Sequence, residues 1–250
     1  MKLLDYFNTE TKLNQIITDR LSRLPDDCLT DRVLLAWERG DLLTPGWNPD
    51  GTLIRSWRNV VAHQMTVAVV ADHLSAGLLL DEQRRMLVEA ALVHDSFKRR
   101  EQGLRDEAGL KDSLETERQA EIESEHLLLA LGFSKATAQL SSQTGHRGLE
   151  CVRTSQASLM AKILFYADCT VSNYDIVGHA KRLDDVLPEF QPAGRYAGLQ
   201  EAYLKRYGKT HREVWDEVLA SLEEDLSYHL GFGTDREQLH SFLREAIPDS

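Results

Sequence analysis

A carboxylate placed where a helix should be apolar constrains this chain more than any other feature. In Leu159-Met-Ala-Lys-Ile-Leu-Phe-Tyr-Ala-Asp168-Cys-Thr-Val171, Asp168 follows Leu164 by four residues and Met160 by eight, and precedes Val171 by three. On a helix these positions share one face, and that face is hydrophobic. An ionised carboxylate in a low-dielectric interior is costly unless a positive group compensates it. Two other helical stretches repeat the anomaly. His63 sits on the face of Val60, Val67 and Val70, and His94, followed at once by Asp95, sits on the face of Leu87 and Ala91. One such histidine alone reads first as an ordinary core residue. A ligand type at the apolar centre of each of three helices reads as one metal site, and two imidazoles with two carboxylates suit a hard or borderline divalent ion.

The rest of the chain is written with helical periodicity. Apolar spacing and cap residues predict helices over 9–24, 30–39, 56–74, 81–94, 114–131, 135–144, 155–178, 196–207, 210–230 and 234–246. Ser56 and Asp81 are expected N-caps, and Gly132 and Gly145 expected stops. Residues 41–51 are dense in turn formers and read as a loop, and 188–194 read as irregular. Strand-like alternation and internal repeats are absent from the sequence. The expectation is an all-α fold, a single domain over 1–250, with a helical core near 56–178 and additional helices N-terminal to it and over 185–250.

Composition excludes several partners. The 250 residues carry 29 Lys+Arg against 40 Asp+Glu, a net charge of −11, which argues against a nucleic-acid polymer as partner. Cys28, Cys151 and Cys169 show no CxxC spacing, so free thiols in a reduced compartment are expected. The start, Met1-Lys2-Leu3-Leu4-Asp5, lacks a secretory apolar segment, and no apolar run approaches the ~18 residues of a membrane span. A cytoplasmic protein without a membrane partner is the expectation, and a homo-oligomer is compatible with it.

His63, then His94-Asp95, then Asp168, resemble the H…HD…D pattern of the HD-domain metal-dependent phosphohydrolases. Asn59-Val-Val-Ala-His63 resembles the family's first-histidine helix. Ala90-Ala-Leu-Val-His94-Asp95-Ser-Phe-Lys98 resembles its "ALLHDIGK" segment, with Lys98 in the lysine place, and Phe165-Tyr-Ala-Asp168 resembles its closing helix. Glu117-Arg-Gln-Ala120 with Leu127–Phe133 resembles the middle helix, with Thr116 where many members carry a histidine. The resemblance covers residues 56–178. It implies a helical bundle holding one divalent cation (Mn, Fe, Mg, Ni, Co or Zn) through His63, His94, Asp95 and Asp168. It also implies hydrolysis of a small phosphorylated molecule, a nucleotide first among them, by a metal-activated water. Thr116 argues against a second metal, and so against an oxygenase with paired irons. The alternative is a degenerate HD module that binds a nucleotide or a protein partner without turnover.

Within that resemblance Asp95, Lys98 and His146 are the candidate catalytic residues, and Lys98, Arg99 and His146 the candidate phosphate contacts. The bland readings stand beside these. The basic run Lys98, Arg99, Arg100, Arg105 and Lys111 also reads as a solvated face, and His146 as a loop residue after Gly145. Asp175 is a possible competitor to Asp168, while Asp72 and His73 face away from His63 and read as surface or supporting residues. Tyr203, Tyr207, Trp215 and Tyr228 read as core packing or as a surface for stacking a base, and the segment around Trp47 and Trp57 as a possible lid.

Overall fold

In the computed structural model, residues 11–43, 45–47, 53–107, 114–191, 194 and 196–247 are described. Residues 1–10 and Lys111, with the side chains of Arg105 and Trp47, lie outside that set. The central element is α3 (Arg58–Ser75), in which 15 of 18 residues are buried. A helix that is apolar on every side must be enclosed. Its β-branched Val60, Val61, Thr66, Val67, Val69 and Val70 are indifferent helix formers, so it depends on its neighbours for stability. Those neighbours are α1 (Thr11–Arg23), α4 (Asp81–Val93), α9 (Leu159–Thr170) and α13 (Arg236–Glu245).

The other helices form a shell around this group. α2 (Asp31–Arg39) and α7 (Lys135–Ser141) lie on α4, and α6 (Leu114–Ala130) packs on α5 (Lys98–Glu107), α7 and α8 (His146–Arg153). The C-terminal region contributes α10 (His179–Val186), a 3-10 turn (Leu187–Phe190), α11 (Ala197–Tyr207) and α12 (His211–His229). α12 packs on α8, α9, α10 and α13, and one apolar core runs from Leu13 to Ile247. The fold is all-α. Short side chains close the helix starts: Thr30, Ser134, Ser158, Thr210 and Asp235 each accept a backbone N–H from the first turn.

Several expectations about the chain are corrected. Among the described residues two antiparallel pairs exist, β1 (Pro45–Trp47) with β2 (Leu53–Ser56), and β3 (Val171–Ser172) with β4 (Asp175–Ile176). Ser56 therefore ends a strand, and Trp57 is the N-cap of α3. Leu80, not Asp81, caps α4, its N–H donating to Gln83 Oε1 at 3.1 Å. The helix expected over 155–178 stops at Thr170, because Asn173 takes φ 55° and turns the chain back. Asparagine is among the few non-glycine residues that tolerate this region. Asp175 is thereby carried to an exposed strand. α5, α8 and α10 were not legible, since none shows a continuous apolar stripe of useful length.

The end of α4, which carries His94, is pinned from two sides. Trp37, fully buried on α2, donates its indole N–H to the Leu92 carbonyl at 2.7 Å. Gln64 on α3 donates to the Ser96 hydroxyl at 3.2 Å. Gly40, at the end of α2, lies so close to the Ser96 carbonyl that a Cβ there would overlap it. Gly40→Ala is expected to cost about 1–3 kcal/mol, as overpacking does. A chain of this size should then lose several degrees of Tm in a circular-dichroism melt; an unchanged Tm would show that this backbone contact yields freely.

Candidate metal centre

Three side chains from three helices meet at one point. His63 Nε2 (α3) lies 2.9 Å from Asp168 Oδ1 (α9), and His94 Nε2 (end of α4) lies 3.4 Å from the same oxygen. The two imidazoles meet edge to face with centroids 5.4 Å apart, and the three donor atoms all lie within 4.8 Å of one another. Each ring is oriented from behind by a backbone carbonyl. His63 Nδ1 donates to Asn173 O at 3.0 Å, and His94 Nδ1 donates to Ala91 O at 2.8 Å. With Nδ1 protonated, a neutral imidazole presents its Nε2 lone pair, the usual arrangement of metal-bound histidine.

Lone pairs from two rings aimed at a carboxylate oxygen repel unless a cation or a proton lies between them. His94 Nε2 is buried without a hydrogen-bond partner and lies 3.4 Å from Asp168 Oδ1. Protons relieve the repulsion in the metal-free chain. Burial draws the His94 pKa down, but the Asp168 and Asp95 carboxylates outweigh it and push it up to about 9. Burial likewise opposes ionisation of Asp168, yet the facing His63 and His94 imidazoles hold it well below the usual carboxylate range. The donor set and the orphaned nitrogen both fit a divalent cation.

The remaining expected site residues divide. Asp95 is beside the three donors but not among them; its carboxylate takes Lys98 Nζ at 3.2 Å. Burial raises the Asp95 pKa, and Lys98 with His94 more than reverses that. Lys98, His146 and Glu117 line one cavity of about 150 Å³ together with Asp168. Arg99 is turned away onto Asp41, and Arg100 onto Glu123, so neither of these two belongs to that cavity. Asp72 is buried and holds Arg84 through both carboxylate oxygens, so of its two readings the supporting one holds and the surface one does not. His73 stacks on Phe242 at 4.0 Å and fastens α13 to α3.

His146 opens α8 and does not sit in a loop. Tyr203 links it to Trp215. The Trp215 indole N–H donates to the Tyr203 hydroxyl at 2.9 Å, and that hydroxyl contacts His146 Nδ1 at 2.6 Å. Indole is a donor only, so the Tyr203 hydroxyl accepts from Trp215 and bridges it to His146. Trp215 also lines the Asp168 cavity, a role that helical spacing could not distinguish from core packing. A larger cavity of about 560 Å³ lies across His146 and is walled by Arg118, Glu121 and Arg147. Size favours it, but Asp168, one of the three donors, borders the smaller one.

A second constellation was not legible in the sequence. His179 Nδ1, His240 Nε2 and the Tyr166 hydroxyl all donate to Glu223 Oε1, at 2.8, 2.9 and 2.9 Å. Here each imidazole hands an N–H to the carboxylate, so neutral rings satisfy it and no cation is needed. Burial raises the Glu223 pKa, but His179 and His240 overcome it and draw it down to about 2. The four residues join α9, α10, α12 and α13.

Comparison with known proteins finds no family model, no curated relative and no solved structure that matches the chain.

The Glu223 clamp has a pH consequence of definite sign. A carboxylate whose pKa is depressed on folding stabilises the protein above its unfolded value, near 4.5, and loses that contribution as pH falls toward about 2. Glu223→Gln should therefore flatten the drop in Tm between pH 6 and pH 3 relative to wild type. Parallel wild-type and variant curves would mean that Glu223 is not ionised in the folded chain.

Proposed function

We propose that this chain is a metal-dependent phosphohydrolase of the HD-domain kind, acting on a small phosphorylated molecule, with nucleotides as the first substrate class. One observation carries the reading: His63 and His94, each oriented by a backbone carbonyl, converge with Asp168 on one point and leave the His94 Nε2 without a partner. His63, His94 and Asp168 would hold the ion, with Asp95 joining them by releasing Lys98. A divalent ion held there lowers the pKa of a bound water from ~15.7 toward ~7 and polarises a phosphoryl oxygen.

The chain's own residues have assignable tasks. Lys98 supplies a cation beside the carboxylates, suited to a phosphate oxygen, since phosphoryl catalysis rests on positioning and charge compensation. His146, held by the Tyr203 hydroxyl and lining the Asp168 cavity, is placed to serve the phosphate or the leaving oxygen. The Asp95–Lys98 pair favours a second reading, a module that binds a phosphorylated ligand without turnover, because the pair occupies a ligand and a phosphate contact together.

Two measurements separate these readings. Chelator-stripped and reloaded protein should hold about one divalent ion per chain and release phosphate from a nucleotide panel. Asp168→Ala should lose both metal and turnover, the latter by at least 100-fold; wild-type turnover in this variant would defeat the ligand role. Lys98→Ala should lower kcat/KM at least tenfold while metal content stays near one. Metal binding with no phosphate release would instead establish the binding module.

A further inference from the structure

The cavity that contains Asp168 is completed by residues from the C-terminal region, beyond the segment that resembles a known family. Its far wall is built from Arg182 on α10, Phe190 on the 3-10 turn, Tyr196, and His211 and Trp215 on α12. Arg182 differs from the other arginines near the site. Arg99, Arg100 and Arg147 are each held by a carboxylate, whereas Arg182 is half-buried and makes no ion pair or side-chain hydrogen bond among the described residues. Its charge reaches Asp185 and Cys169 only at a distance. A guanidinium kept half-buried without a carboxylate has its fork of donors available to an anion, and that fork matches phosphate geometry.

The aromatic wall is rigid and uncharged. Phe190 stacks on His211 with centroids 3.6 Å apart, and the Trp215 ring contacts Phe165 at 5.2 Å and His211 at 5.4 Å. Burial and the nearby His146 lower the His211 pKa to about 3, so the imidazole is neutral at physiological pH. Trp215 is only partly buried, as befits a ring with a face on a cavity. Flat rings such as nucleobases stack on an aromatic face of this kind. The cavity of about 150 Å³ is below the ~300–1,000 Å³ of drug-sized sites by itself, and it shares His146 with the larger cavity of about 560 Å³.

We infer that the C-terminal helices supply the substrate subsite, with Arg182 as receptor for the phosphate of a monoester and Trp215 as platform for a flat ring, so that the ligand is a nucleoside monophosphate. This rests on the phosphohydrolase reading for the position of the phosphate at Asp168. Arg182 and Trp215 are specificity residues that no motif announces.

The test is calorimetric titration of metal-loaded protein with the non-hydrolysable methylenephosphonate analogues of AMP and of ribose 5-phosphate. Wild type should bind the AMP analogue at least tenfold more tightly than the ribose analogue. Arg182→Ala should weaken the AMP analogue at least tenfold with metal content unchanged, and Arg182→Lys should recover part of the loss. Trp215→Leu should collapse the preference between the two analogues. Equal wild-type affinities, or wild-type binding of the AMP analogue by Arg182→Ala, would overturn the inference. Tight analogue binding with no phosphate release from AMP would leave the subsite standing and remove the hydrolase reading alone.

Discussion

Everything else in this molecule is arranged by the need to enclose α3. A helix with 15 of 18 residues buried cannot lie on a surface, so it must be covered by α1, α4, α9 and α13 together. Enclosure brings His63, near the middle of that helix, to within hydrogen-bonding distance of Asp168 on α9 and places His94 beside both. The same packing that satisfies the apolar residues thus assembles the polar ones. Their supports are also part of the core: the Trp37 indole on Leu92, the Gln64 amide on Ser96 and the close approach of Gly40 fix the chain around His94 and Asp95.

Two buried carboxylates meet the cost of burial in different ways, and the difference is chemical. Glu223 receives three donated protons and is a satisfied anion, with its pKa drawn to about 2. Asp168 faces two nitrogens whose other ring positions are already committed to carbonyl oxygens. Neutral rings in that orientation offer it lone pairs and not protons, so only an added positive charge makes the cluster favourable. The first arrangement fastens helices together. The second is satisfied only by a proton or a bound cation between the rings and the carboxylate.

The C-terminal helices have two physical roles in this scheme. Through Glu223, with Tyr166 on α9 as one of its donors, they clamp α9, the helix that carries Asp168. Through Trp215, Tyr203 and His146 they carry a hydrogen-bonded chain from α12 to the start of α8, along the edge of the Asp168 cavity. A bundle ending at Thr170 would present its donors to open solvent, where charges and stacking faces act weakly. The added helices convert a cluster of donors into a walled site with cations and aromatic faces of its own.

The sequence by itself determined the helical character and the anomaly at its centre. Periodicity of apolar residues is a local property, and Asp168, His63 and His94 violate it within their own helices, so each was visible without knowledge of its neighbours. The terminal helices 197–207, 211–229 and 236–245 were legible for the same reason. Tertiary structure alone decided the rest. Whether Asp95 faces the other donors or Lys98 depends on how the chain turns after α4, and Arg99 goes to Asp41 because α2 ends nearby. Asp175 was lost as a ligand when a left-handed Asn173 ended the helix early. Glu223 joins partners 44 and 17 residues away in sequence, and Tyr203 joins one 57 residues away. Such pairings leave no local periodicity, because distance along the chain carries no information about which polar groups burial will force together.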